Sequence, residues 1–205
     1  EMKKWIIAGE IPPMILAMPS DGLWGDGSAY LPHHGYDFEK WIAEDIPFFL
    51  RNYVDVLSGN SPFFISGLSM GGFGALRIGI KYHEQFLAVS AHSSITKLEQ
   101  MKLFVEEELS GYLQENEKDE DVLATILEHQ DHLPFIRFDC GIDDNLINEN
   151  RELHAELEKN SVPHLYEEFT GAHEWPYWTE HIKDSILFFA SHANGHALKK
   201  DARPR

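Results

Sequence analysis

The chain has 205 residues, 43% of them hydrophobic, and its 34 acidic against 17 basic side chains give a formal net charge of −17 at pH 7. That length supports a single domain, 1–205, with a core large enough to need no disulfide or metal staple. The charge repels nucleic acid and anionic membrane surfaces. The lone Cys140 excludes an intrachain disulfide and cysteine-rich zinc sites, and no apolar run approaches the roughly 18 residues of a membrane span. The chain begins at Glu1 without a secretory leader pattern. The compartment stays open, with the cytoplasm slightly favoured, and a homo-oligomer is compatible with everything so far.

In chain order, the apolar run 13–18, closed by Pro19-Ser20-Asp21-Gly22, reads as a first buried strand and turn. A loop rich in Gly, His and aromatics follows over 22–36. Residues 39–56 place Trp41, Ile42, Ile46, Phe49, Leu50 and Val54 at helical spacing. A second strand over 62–66 leads to a helix over 71–82, and a third strand is expected over 86–90. Residues 96–132 are acidic and helical in pattern, an insertion expected to lie over another part of the fold. A fourth strand (135–139), a helix (146–159), a fifth strand (164–169) and a closing helix (175–192) complete the chain. Strands alternating with helices predict an α/β fold with a mainly parallel sheet and helices on both faces. Function then belongs at the carboxyl ends of the strands.

The segment Gly67-Leu68-Ser69-Met70-Gly71 is a G-x-S-x-G motif between a predicted strand and a predicted helix. In that setting a sharp turn lifts the serine hydroxyl clear of the sheet. A serine hydroxyl is a weak nucleophile until a histidine takes its proton and a carboxylate orients the imidazole. Those partners should come from loops after later strands, in the order Ser, acid, His. Cys140-Gly141-Ile142-Asp143-Asp144-Asn145 follows the fourth strand and Thr170-Gly171-Ala172-His173-Glu174-Trp175 the fifth. Asp143 and Asp144 share one loop and their side chains diverge, so one of them reaches His173; Asp144 is preferred.

Other groups carry weaker signals. His92 ends the third strand and has two readings, a substrate contact or a structural hydrogen bond. Trp24 and Trp175, with Tyr30, Tyr177 and Trp178, lie in or beside loops at the active edge and could line a pocket for an apolar acyl or alcohol group. His33-His34 reads as surface loop. His173-Glu174 opens no H-E-x-x-H motif, because position 177 is Tyr. No metal site and no cofactor are expected.

The run Gly67-Leu68-Ser69-Met70-Gly71-Gly72-Phe73-Gly74-Ala75 resembles the nucleophile segment of the putative-esterase family, which includes S-formylglutathione hydrolases, feruloyl and acetyl-xylan esterases, tributyrin-type esterases and mycolyltransferases. Ile11-Pro12-Pro13-Met14-Ile15 and Met18-Pro19-Ser20-Asp21-Gly22 resemble the strand and loop before the nucleophile. Cys140-Gly141-Ile142-Asp143-Asp144 resembles the acid loop, whose second acid is the triad member, and Gly171-Ala172-His173-Glu174-Trp175 the histidine loop. The likeness extends over most of 3–192 and is weakest over 96–132. It implies an α/β-hydrolase fold and a cofactor-free serine carboxylesterase: Ser69 as nucleophile, His173 as base, Asp144 as its partner, and the Met70 N–H as an oxyanion donor. Its partner would be a small-molecule ester.

The resemblance also implies three earlier strands and a second oxyanion donor for which this sequence offers no counterpart. Residues 2–9 are similar to the end of the family's first helix. An amino-terminally incomplete chain with an open sheet edge is therefore expected. A thioesterase of the S-formylglutathione type or an acyltransferase is the rival reading among enzymes. A non-catalytic, hydrolase-like binding domain is the rival from another class.

Overall fold

A computed structural model describes residues 1–22 and 25–201. Helix α1 (Met2–Ala8) ends at Gly9, whose φ of 73° lets its N–H turn back to the Ile6 carbonyl. Lys183 lies over the Trp5 ring and 3.7 Å from Glu10, tying this segment to the last helix. A two-residue hairpin then pairs β1 (Pro32–His33) with β2 (Tyr36–Asp37). Positive φ at His34 and Gly35 supplies the backbone twist such a tight turn needs. Asp37 caps the helical stretch α2 (Phe38–Lys40), which passes through a wide π turn (Trp41–Asp45) into α3 (Ile46–Tyr53).

The sheet is parallel, with the order β3 (Phe63–Leu68), β4 (Phe86–His92), β5 (Phe135–Gly141), β6 (Leu165–Phe169). Between them run α4 (Met70–Lys81), α5 (Val122–Glu128) and α6 (Ile147–Lys159), and α7 (Trp175–Asp201) follows β6. The period of two along β4 and β5 separates two different interiors. Val89, Ala91, Ile136 and Phe138 join Phe73, Leu76, Ile80, Leu153 and Leu157 in an apolar core under α4 and α6. The alternate residues Ser90, His92, Arg137 and Asp139 face α7 and form a buried polar network. Ser185 of α7 lies 2.6 Å from Ser90 Oγ and 2.7 Å from His92 Nε2. Asp139 meets His92, Arg137 and the Tyr177 hydroxyl at 2.8, 2.6 and 2.6 Å. This is the expected α/β arrangement with helices on both faces.

One expectation needs correction. Residues 13–18 form no strand. A strand exists only by pairing its backbone groups with a neighbour, and no sheet strand lies beside this run among the described residues. Ile15, Leu16 and Met18 are exposed, Met18 by 82%. The acidic segment 96–132 is helical in pieces, not as one run. It is a chain of short 3₁₀ turns (Leu98–Leu103, Leu109–Gly111, Glu117–Glu120) before α5. Like charges crowded at helical spacing repel, and Asn116 and Asp121 cap new turns instead of continuing old ones.

Helix α4 is anchored from below. Glu39 of α2 meets Arg77 at 2.9 Å and Lys81 at 2.7 Å, with Glu39 and Arg77 both buried. Removing one partner of a buried ion pair strands the other charge, at a cost of about 3–5 kcal/mol. Glu39→Ala should therefore lower the urea midpoint of unfolding strongly. Glu39→Gln, which keeps a hydrogen-bond acceptor, should lower it less. Equal midpoints for Glu39→Ala and the unaltered protein would contradict this account.

Candidate active site

The turn between β3 and α4 is very tight. A Cβ at Gly67 would stand 2.0 Å from the Gly71 carbonyl oxygen, so only glycine lets strand and helix meet here. Ser69, at the apex, is held at φ 53°, ψ −120°, a region costly for any residue with a side chain. Its own N–H is bonded to the His92 carbonyl at 2.9 Å. Met70 is the first residue of α4, so its N–H has no carbonyl partner within the helix and stands at the positive end of the helix dipole.

Two further loops reach the same point from the ends of β5 and β6. His173 Nε2 lies 2.9 Å from Ser69 Oγ, and His173 Nδ1 lies 3.0 and 3.1 Å from the two oxygens of Asp144. Asp144 is 3% exposed and also accepts from the Leu146 N–H at 2.9 Å, whereas Asp143 is exposed. The two aspartates thus diverge, and Asp144 is the one at the imidazole. The Asp143 backbone N–H instead joins the Gly171 carbonyl at 2.9 Å, and Ile142 N–H joins Phe169 O at 2.9 Å, binding the acid loop to the histidine loop.

Burial alone pushes the Asp144 carboxyl up. Hydrogen bonds from His173, the Leu146 amide and Ser93, with the attraction of the imidazole, outweigh it and hold the carboxyl below its ordinary value. Ser93, at φ 48°, is in turn fixed by the Trp178 indole N–H at 3.2 Å. The imidazole is walled by rings: Phe104 stacks on it at 5.1 Å and Trp178 meets it edge-on at 4.9 Å.

The remaining predicted contacts fall in different places. His92 is buried in the network beneath α7, both ring nitrogens facing protein groups, so of its two readings the structure displays the hydrogen-bonded one. Trp175 is 70% exposed and packs edge-on against Trp178 at the rim. Trp24 lies outside the described residues. Phe104 and Ser93 escaped the sequence reading. Phe104 sits in the irregular segment, where no period assigns a direction to a side chain. Ser93 is one of three serines in the five-residue stretch 90–94, with nothing to single it out.

A serine on a strand-to-helix turn, with an acid and a histidine on the next strand ends of a parallel sheet, defines the α/β-hydrolase class. Residues 25–189 match the family described as Putative esterase. An acetyl esterase of Caldicellulosiruptor saccharolyticus is 30% identical over 180 residues, covering 79% of this chain and 68% of that protein. Among solved structures, a ferulic acid esterase superposes with a TM-score of 0.73 at 24% identity, covering 93% of this chain and 75% of the other. S-formylglutathione hydrolase of Staphylococcus aureus superposes at 0.69 with 19% identity, covering 79% and 68%. The chain belongs to the Putative esterase family, and it is a carboxylesterase.

Because the Asp144 carboxyl titrates below its unfolded value, the stability it contributes is complete above about pH 3.9, the ordinary aspartate value. It is lost as pH falls from there through the lowered native value. Below pH 4 the urea midpoint of the native protein should therefore drop faster than that of Asp144→Asn. Parallel midpoints through this window would show that the folded site does not favour the charged carboxyl.

Proposed function

We propose that Ser69, His173 and Asp144 hydrolyse carboxylic esters through an acyl-enzyme. The observation that carries this reading is the imidazole between two partners, 2.9 Å from the Ser69 hydroxyl and 3.0 Å from Asp144. Ser69 Oγ attacks the acyl carbon while His173 Nε2 takes its proton, and Asp144 stabilises the imidazolium through Nδ1–H. The Met70 N–H donates to the developing oxyanion. His173 then protonates the departing alcohol, leaving the acyl group on Ser69. Water entering at the same imidazole gives up a proton to it and attacks the acyl carbon; the bond from that carbon to Ser69 Oγ breaks, His173 returns the proton to Oγ, and the acid leaves.

The substrates we infer are small esters with short acyl groups, acetyl foremost. The acetyl esterase relative supports this, as do the rings of Phe104 and Trp178 close around His173. The S-formylglutathione hydrolase likeness is one of fold alone and carries no argument about substrate.

Ser69→Ala should abolish labelling by a fluorophosphonate probe and ester turnover while leaving the circular dichroism spectrum unchanged; wild-type turnover in this variant would end the proposal. Asp144→Asn should cut kcat by roughly 10⁴, as the same change does in the template serine protease, and Asp143→Asn should change it little. A larger effect at Asp143 would reverse the assignment.

On p-nitrophenyl esters, acetate should exceed octanoate in kcat/KM, and methyl ferulate should be poor. Turnover should fall in acid, because a protonated imidazole cannot accept the serine proton. Preference for octanoate or ferulate would leave the triad standing and overturn the short-acyl inference.

A further inference from the structure

At the far end of β6 from His173, three side chains converge that the esterase chemistry does not use. His154 and Glu158 stand one helical turn apart on α6, and His164 immediately precedes β6. One donor atom from each lies within 4.8 Å of the others. His154 Nδ1 and His164 Nε2 are only 2.8 Å apart. The other nitrogen of His164, Nδ1, is 2.8 Å from the Val162 carbonyl oxygen and so carries the proton it donates there. That leaves the His164 Nε2 lone pair directed at His154, the outer hydrogen bond fixing ring and tautomer as it does in metal-ligating histidines.

The surroundings favour a cation. Arg151 and Lys159, the basic residues of α6, are paired elsewhere, with Glu168 at 2.6 Å and Glu156 at 2.9 Å. Glu158 is exposed, so the cluster opens to solvent and leaves coordination positions for water. The strong net negative charge raises cation concentration near the surface.

We propose that His154, Glu158 and His164 bind a divalent transition-metal ion. Two imidazole nitrogens and one carboxylate suit zinc, copper or nickel, whereas calcium and magnesium take oxygen ligands. With metal–nitrogen bonds of about 2.0–2.1 Å in tetrahedral geometry, the two nitrogens would stand about 3.3 Å apart. The rings therefore open by about half an ångström, and the proton His154 shares with His164 moves to His154 Nε2. The ion staples α6 to β6 across the turn at 160–164 and stabilises the fold without entering catalysis. The sequence reading missed the set because its third ligand joins the helical pair only when the chain folds back.

Untagged full-length protein, stripped with EDTA and dialysed, should be titrated with zinc chloride by calorimetry and then with cobalt(II) by visible absorption. Binding of one zinc per chain is expected, with a cobalt band of four- or five-coordinate nitrogen and oxygen ligation. The thermal midpoint should rise by about 5–10 °C at zinc a hundredfold above Kd. His154→Ala and His164→Ala should each weaken zinc binding at least tenfold. Glu158→Gln, at an exposed position, should weaken it similarly and cut the thermal shift at the same zinc concentration to about half or less. A His83→Ala control, at the separate stacked pair of His83 and His132, should bind zinc as the parent does. Absence of zinc binding, or unchanged affinity in both Glu158→Gln and His154→Ala, would overturn the proposal.

Discussion

The contact between Gly67 and Gly71 sets the geometry on which the rest of the site depends. Because β3 and α4 approach to a distance that excludes even a methyl group, the chain can reverse within three residues. The serine is thereby placed above the sheet while the first amides of the helix point to the same space. Strain at Ser69 is tolerated because its surroundings over-determine it. Its N–H is held by the next strand, its carbonyl begins the helix, and Arg77 and Lys81 fasten that helix to Glu39. A looser turn would misplace the hydroxyl by more than a hydrogen bond tolerates.

The two faces of the sheet divide structural tasks. The apolar face supplies the hydrophobic stabilisation, closing over α4, α5 and α6. The α7 face is polar, and its Arg137, Asp139, His92 and Tyr177 are arranged with little freedom, since each buried charge must keep its partner. Asp139 draws a hydroxyl from the first turn of α7, which begins just after the His173 loop. The network therefore fixes the direction in which that loop leaves the sheet. Such a set holds the geometry of nearby loops more tightly than apolar packing, which tolerates sliding.

Much of this was legible in the sequence because it rests on local rules. The G-x-S-x-G turn and the strands beginning at 86 and 135 follow from period and punctuation, while the Asp144 and His173 loops follow from the chain order Ser, acid, His, with the choice of Asp144 supported by the family resemblance. The run 13–18 misled because hydrophobicity marks a wish to be buried, not a partner to pair with. The segment 96–132 is broken into short helical pieces because its composition suits helix while its caps start new turns. Phe104 and Ser93 reach His173 and Asp144 only through tertiary contact, which no one-dimensional pattern encodes. His34-Gly35 is different: a turn dipeptide was present and could have been read as the hairpin it makes.

The bonds from Ile142 to Phe169 and from Asp143 to Gly171 continue the β5–β6 pairing past the last sheet residues. Acid and base thus ride on one stiff tongue, while Phe104, which faces the imidazole, belongs to an irregular segment fastened elsewhere, through Tyr112 to Gly27 and Gln114 to Pro32. The two sides of the ring wall around the imidazole therefore differ: Trp178 is tied through Ser93 to the Asp144 loop, whereas Phe104 is held by a different part of the chain. Substitutions at Phe104 can thus reshape the surface over the imidazole without loosening the Asp144–His173 pair.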